Sequence, residues 1–111
     1  MWHDGVAERM RDLLRHLDAH PWKIGSEKSV IKPEASVLPM EFLMRTRTAT
    51  RAEFGQMLGD VSEVNKRRIV RSLQGYGLLD SPTHRGDLKF ALPLKSLRFL
   101  FPRLWPEVDR D

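Results

Sequence analysis

Apolar residues recur at helical spacing through most of this chain and alternate only around residue 90, so the pattern predicts several helices followed by a small hairpin. Val6, Met10, Leu13, Leu14 and Leu17 form a stripe behind a capping Asp4, with Glu8, Arg9, Arg11, Asp12 and Arg15 opposite. This amphipathic helix ends at His20-Pro21, and the polar run Gly25-Ser26-Glu27-Lys28-Ser29 reads as a linker. From Glu34 to Arg45 the set Val37, Leu38, Met40, Phe42, Leu43 and Met44 is too broad for one buried stripe, which predicts a helix covered on more than one side.

Thr50-Arg51-Ala52-Glu53 has the spacing at which a hydroxyl and a carboxylate satisfy each other's helix-end donors. Phe54, Met57 and Leu58 give that short helix a buried side, and Gly59 ends it. Asp60-Val61-Ser62 turns into a second helix with Ile69 and Leu73 inward, running to about Tyr76, where Gly75 and Gly77 let the chain leave the helical region. Leu78–Ser81 and Leu88–Leu92 then read as two strands joined by a turn containing Gly86, and Pro93 opens a short last helix carrying Leu94, Leu97, Leu100 and Phe101. The resulting expectation is a mainly α fold with a small β-hairpin. It is a winged helix-turn-helix over 34–111, preceded by an N-terminal amphipathic helix and linker over 1–33 and closed by a short C-terminal helix.

Composition narrows the function. At 111 residues, 41% hydrophobic and 31% charged, the chain reads as an ordinary globular domain. It has no run of membrane-spanning length and no apolar signal core near its start, which predicts a cytoplasmic protein. The absence of cysteine excludes disulfides, a thiol nucleophile and a thiolate zinc site, and four scattered histidines give no metal cluster, so neither metal nor cofactor is expected. Asp80, Asp87 and Asp109 are too widely spaced for a carboxylate pair, and no nucleophile elbow or phosphate loop occurs.

Charge is unevenly placed. Between Arg45 and Arg71 lie seven basic residues against Glu53, Asp60 and Glu63, so this segment holds the whole of the formal +4 charge. A basic second helix of a helix-turn-helix suits duplex DNA. In that reading Ser62, Asn65, Arg68, Arg71 and Ser72 face the major groove, while Arg45, Arg51, Arg67, His84 and Arg85 hold phosphates or approach the minor groove. The other reading is a protein-interaction module. It draws on the leucine stripe of the first helix, which requires a partner in this chain or in another.

Residues 51–107 resemble the C-terminal domain of Fic (filamentation induced by cAMP) family proteins. The shared elements are the capped helix, Val61-Ser62-Glu63, Arg67-Arg68, Gly77-Leu78-Leu79, Gly86, Leu92-Pro93-Leu94 and the tail Leu100-Phe101-Pro102-Arg103-Leu104-Trp105-Pro106-Glu107. Lys66 departs from the pattern, standing where small apolar residues are usual, and Gly75 interrupts the end of the second helix. The resemblance implies a winged-helix accessory domain, either part of a larger Fic-like protein or a freestanding relative of its last domain. It also makes a Fic catalytic domain, or a second copy of the chain, the partner of an interaction module.

Fic enzymes transfer adenylyl groups with a His-Pro-Phe-x-Asp/Glu-Gly-Asn-Gly-Arg loop. His20-Pro21-Trp22-Lys23-Ile24-Gly25-Ser26-Glu27-Lys28 echoes it in part. Ile24 stands for the metal-binding acid, Ser26 for the asparagine and Glu27 for the second glycine, so neither the magnesium site nor the anion nest could be built. The chain is therefore expected to be non-catalytic.

Overall fold

The computed structural model describes residues 4–24, 27–81 and 86–91. In chain order the elements are α1 (Asp4–Ala19), β1 (Lys23–Ile24), β2 (Glu27–Lys28), α2 (Pro33–Thr46), β3 (Thr48–Ala49), α3 (Arg51–Met57), α4 (Glu63–Gly75), β4 (Leu79–Asp80) and β5 (Leu88–Phe90). The protein is mainly helical with a small three-stranded antiparallel sheet, and β1 and β2 pair separately with each other. The helix expected after Pro93, the 100–107 tail, His84 and Arg85 lie outside the described residues, as do the side chains of Asp4 and Val6.

The stripe of α1 from Met10 to Leu17 packs within the chain. Met10, Leu13 and Leu14 are fully buried in one cluster with Ile31, Met40, Leu43, Phe54, Ile69, Leu73, Leu78 and Leu88, so residues on both sides of position 33 share a single core. Each such burial is worth roughly 1.5–3 kcal/mol, enough to decide where α1 lies. On its polar side Arg15 donates from Nε to Glu34 of α2 at 3.0 Å, and Arg11 lies 3.4 Å from the same carboxylate. These exposed pairs join the two helices at the surface and add little stability.

Ser36, Val37, Pro39, Met40, Leu43 and Met44 are buried on α2, the multi-sided burial that its apolar breadth predicted. Pro33 occupies its first turn, where the missing amide costs nothing, whereas Pro39 inside the helix leaves the Ala35 carbonyl without its usual donor. The helix ends as Arg47 swings to φ 74° and donates its amide to the Leu43 carbonyl at 2.7 Å. A left-handed arginine is strained, and the reversal it makes sends the chain directly into β3.

The sheet order is β3-β5-β4, with Thr48 opposite Lys89 and Leu79 opposite Phe90. Ala49, Leu79 and Leu88 face the core while Thr48, Asp80 and Lys89 face solvent, the alternation of a sheet covered on one side. The hairpin expected from sequence thus supplies the central strand β5 and one edge, β4, of a sheet whose other edge, β3, comes from between α2 and α3.

Helix ends follow their capping chemistry. Thr50 Oγ1 accepts from the Glu53 amide at 3.0 Å and Glu53 accepts from the Thr50 amide at 2.8 Å. Ser62 Oγ accepts from the Asn65 amide at 3.2 Å. Gly59 at φ 76° and Gly77 at φ 84° release the chain after α3 and α4, conformations that favour glycine. Gly75, by contrast, stays inside α4.

Candidate nucleic-acid interface

The basic surface is built on α4. Ile69, Ser72 and Leu73 face inward on this helix, while Glu63, Val64, Arg67 and Arg71 are exposed on the opposite side, Val64 at 60%. Arg67 and Arg71, four residues apart, stack along this outer side one turn from each other. Arg67 makes no hydrogen bond or ion pair among the described residues. Arg71 lies with Nη1 3.2 Å from Glu27 Oε2, a pair more than half exposed on both sides.

Trp22 and residues 27–30 lie across the same helix from Arg68 onward. The Val30 amide donates to Ser72 Oγ at 2.9 Å, and that hydroxyl in turn donates to the Arg68 carbonyl at 2.8 Å. Ser29 Oγ is 3.1 Å from the Tyr76 hydroxyl, which also lies 3.0 Å from the carbonyls of Leu17 and His20. Arg68 Nη2 donates to the Lys28 carbonyl at 3.3 Å. Trp22 lays its indole on Gly75, where a β-carbon would come within 2.7 Å of the ring. Gly75, an interruption in the sequence of α4, is the space in which the tryptophan sits.

Lys66, the other departure from the Fic pattern, also has a packing answer. Its stem lies against Gly55 of α3, at 3.6 Å from where a β-carbon would stand, and its Nζ reaches Glu63 at 3.5 Å. The lysine buries its methylenes while its charge stays at the edge.

The expected site residues therefore separate. Arg67 and Arg71 share the outer side of α4, with the Ser62 cap exposed at its start. Ser72 does not face a groove: it is 3% exposed and both its hydrogen bonds are internal. Asn65 is half-buried one turn before Ile69. Arg68 is half-buried and engaged by β2. Arg51 spends its guanidinium inside the fold, donating from Nε to the Gly86 carbonyl at 3.1 Å and from Nη2 to Ser81 Oγ at 3.3 Å, so it clips the β4–β5 connection to the start of α3. Arg45 sits in the last turn of α2 beside Glu41 at 3.8 Å, and no hydrogen bond or ion pair joins it to the α4 arginines.

Sequence reasoning took Gly25–Ser29 for a linker and so missed the contacts that Trp22, Glu27, Lys28, Ser29 and Val30 make with α4. The signal was present in Gly25-Ser26, a two-residue hairpin-type dipeptide between Lys23-Ile24 and Glu27-Lys28. In the stretch that echoes the Fic loop, His20 donates from Nδ1 to the His16 carbonyl at 2.9 Å, with the two rings 4.5 Å apart, as a helix-end residue. Among the described residues no group of His, Asp and Glu could hold a metal, and no helix is long and apolar enough to cross a membrane. Compared with protein families, with curated proteins and with solved structures, the chain matches none.

Proposed function

We propose that this chain is a winged-helix module that binds duplex DNA through the outer side of α4, a cytoplasmic, non-catalytic accessory part of a Fic-type protein. The observation that carries the DNA reading is the pairing of Arg67 and Arg71 on the solvent side of a capped helix, with no carboxylate on Arg67 and only an exposed, exchangeable one on Arg71. The element order supports it: α3 and α4 are joined by a short turn through Gly59 and followed by β4 and β5, with β3 completing the sheet, an order that a winged helix-turn-helix would have. The first turns of α4, from Ser62 to Arg67, are the part left clear of segment 22–31, and in such motifs the N-terminal residues of the second helix read base edges. The Fic assignment rests on the residue pattern from Val61 to the 100–107 tail.

The interaction-module alternative drew on the leucine stripe of α1, and of that stripe Met10, Leu13 and Leu14 lie in the chain's own core with Leu17 packed against it. Large apolar exposure among the described residues is confined to Leu38 and Val64, on different helices, which is ordinary for a globular surface.

Titration of a random-sequence duplex at several salt concentrations tests the proposal. Affinity should fall linearly with salt on logarithmic axes, and Arg67→Ala with Arg71→Ala should flatten that slope by roughly 2, one counterion for each lost phosphate contact. No binding at low salt, or a slope unchanged by the double substitution, would remove the DNA reading and restore the interaction module.

A further inference from the structure

The β1–β2 hairpin presents two lysines that nothing in the fold explains. Lys23 and Lys28 are directly opposite each other in the register, and both are exposed. The hairpin's other side is turned to α4, since Trp22 rests on Gly75, Ser29 meets Tyr76 and Glu27 meets Arg71. Strand alternation therefore puts the side chains of positions 23 and 28 together on the face away from α4. Like charges placed opposite each other destabilise a pair of strands, and two-residue strands are marginal by themselves. This hairpin is held by its anchors on α4 instead.

Resting on the DNA reading above, we infer that the β1–β2 hairpin is a second phosphate-contacting arm: Lys23 and Lys28 take the sugar–phosphate backbone flanking the groove that α4 enters. The strand that carries Lys28 is tied to the arginines of α4, since Arg68 holds the Lys28 carbonyl and Arg71 the neighbouring Glu27, and Lys23 is opposite Lys28 in the register. A duplex backbone is a regular line of negative charge, and a doubled cation on a rigidly anchored strand pair complements it. Glu27 has a defined part in the same surface. It holds Arg71 in the free protein, and an arriving phosphate replaces it, so Glu27 weakens binding.

The test is a salt titration of a random-sequence duplex of 20–30 base pairs against the full chain and three variants: Lys23→Ala with Lys28→Ala, Glu27→Gln, and Arg67→Ala with Arg71→Ala. The lysine variant should keep the wild-type circular dichroism and melt no lower than wild type while its salt slope falls by roughly 2. Glu27→Gln should bind about 2- to 5-fold tighter at low salt, the range of an exposed ion pair lost from the competing state. If wild type binds with a slope that depends on Arg67 and Arg71 but not on the lysines, the arm is overturned and the α4 reading stands. If wild type binds no duplex, both fall. Lysine-dependent capture of a polyglutamate peptide without duplex binding would likewise overturn the arm and assign it to an acidic protein.

Discussion

The two halves of α4 carry similar arginines and meet opposite fates. In the first half Arg67 projects from a capped end with no partner among the described residues. From Arg68 onward, Arg68 is engaged by the backbone of Lys28, Arg71 meets only the exposed carboxylate of Glu27, Ser72 is an internal acceptor, and Gly75 is a seat for Trp22. Availability to a partner is therefore decided by a segment some forty residues away in sequence, not by the helix itself. A basic helix face is a composition until the rest of the fold says which of its charges are spent.

The largest expected effect comes from loosening the support beneath the clamped half. The end of α1 presents the Leu17 and His20 carbonyls to Tyr76, and Leu13 roots that helix in the core. Leu13→Ala should cost about 2–5 kcal/mol. Because α1 docks within its own chain, the loss in thermal or denaturant unfolding should be independent of protein concentration. A concentration-dependent melting temperature would place α1 on a second copy instead.

Ser72→Ala comes next. It leaves the Val30 amide without its acceptor, at a cost of about 1–3 kcal/mol, in a place where a groove-facing serine would be lost almost silently. Urea unfolding of the variant distinguishes the two, and a change within about 0.5 kcal/mol would contradict the clamp.

Gly75→Ala sharpens the comparison through its sign. In an open helix this change would stabilise by about 0.8–1 kcal/mol. Here the new methyl would meet the Trp22 ring, so no gain is expected, and the indole fluorescence should shift as Trp22 leaves its seat. A full helix-propensity gain with unchanged fluorescence would show that Trp22 does not pack there.

Much of this architecture was legible. The Thr50–Glu53 box, the Ser62 cap and the stops at Gly59 and Gly77 are local chemistry, and each is formed by residues within a few positions of one another. What could not be read is non-local. Thr48-Ala49 is too short to show a period and becomes a strand only by pairing with Lys89 and Leu88. Gly25-Ser29 has the composition of a linker, yet Glu27-Lys28 within it pairs with Lys23-Ile24 because α4 offers Ser72, Gly75 and Tyr76 to hold the neighbouring residues. Ser72 looked like a polar residue on a basic helix. Its position three residues after Ile69 and one before Leu73 turns it inward, where only an internal donor keeps it satisfied.

The central claim, that the open side of α4 meets a nucleic-acid duplex, is tested most directly by mapping amide NMR shifts during titration with a random-sequence duplex at low salt. The account predicts saturable shifts centred on residues 62–71, with those at Ser62 to Arg67 largest and those on the buried side of α1 unmoved, all collapsing as salt is raised. An unchanged spectrum, or shifts centred on the α2 surface around Leu38, would contradict it.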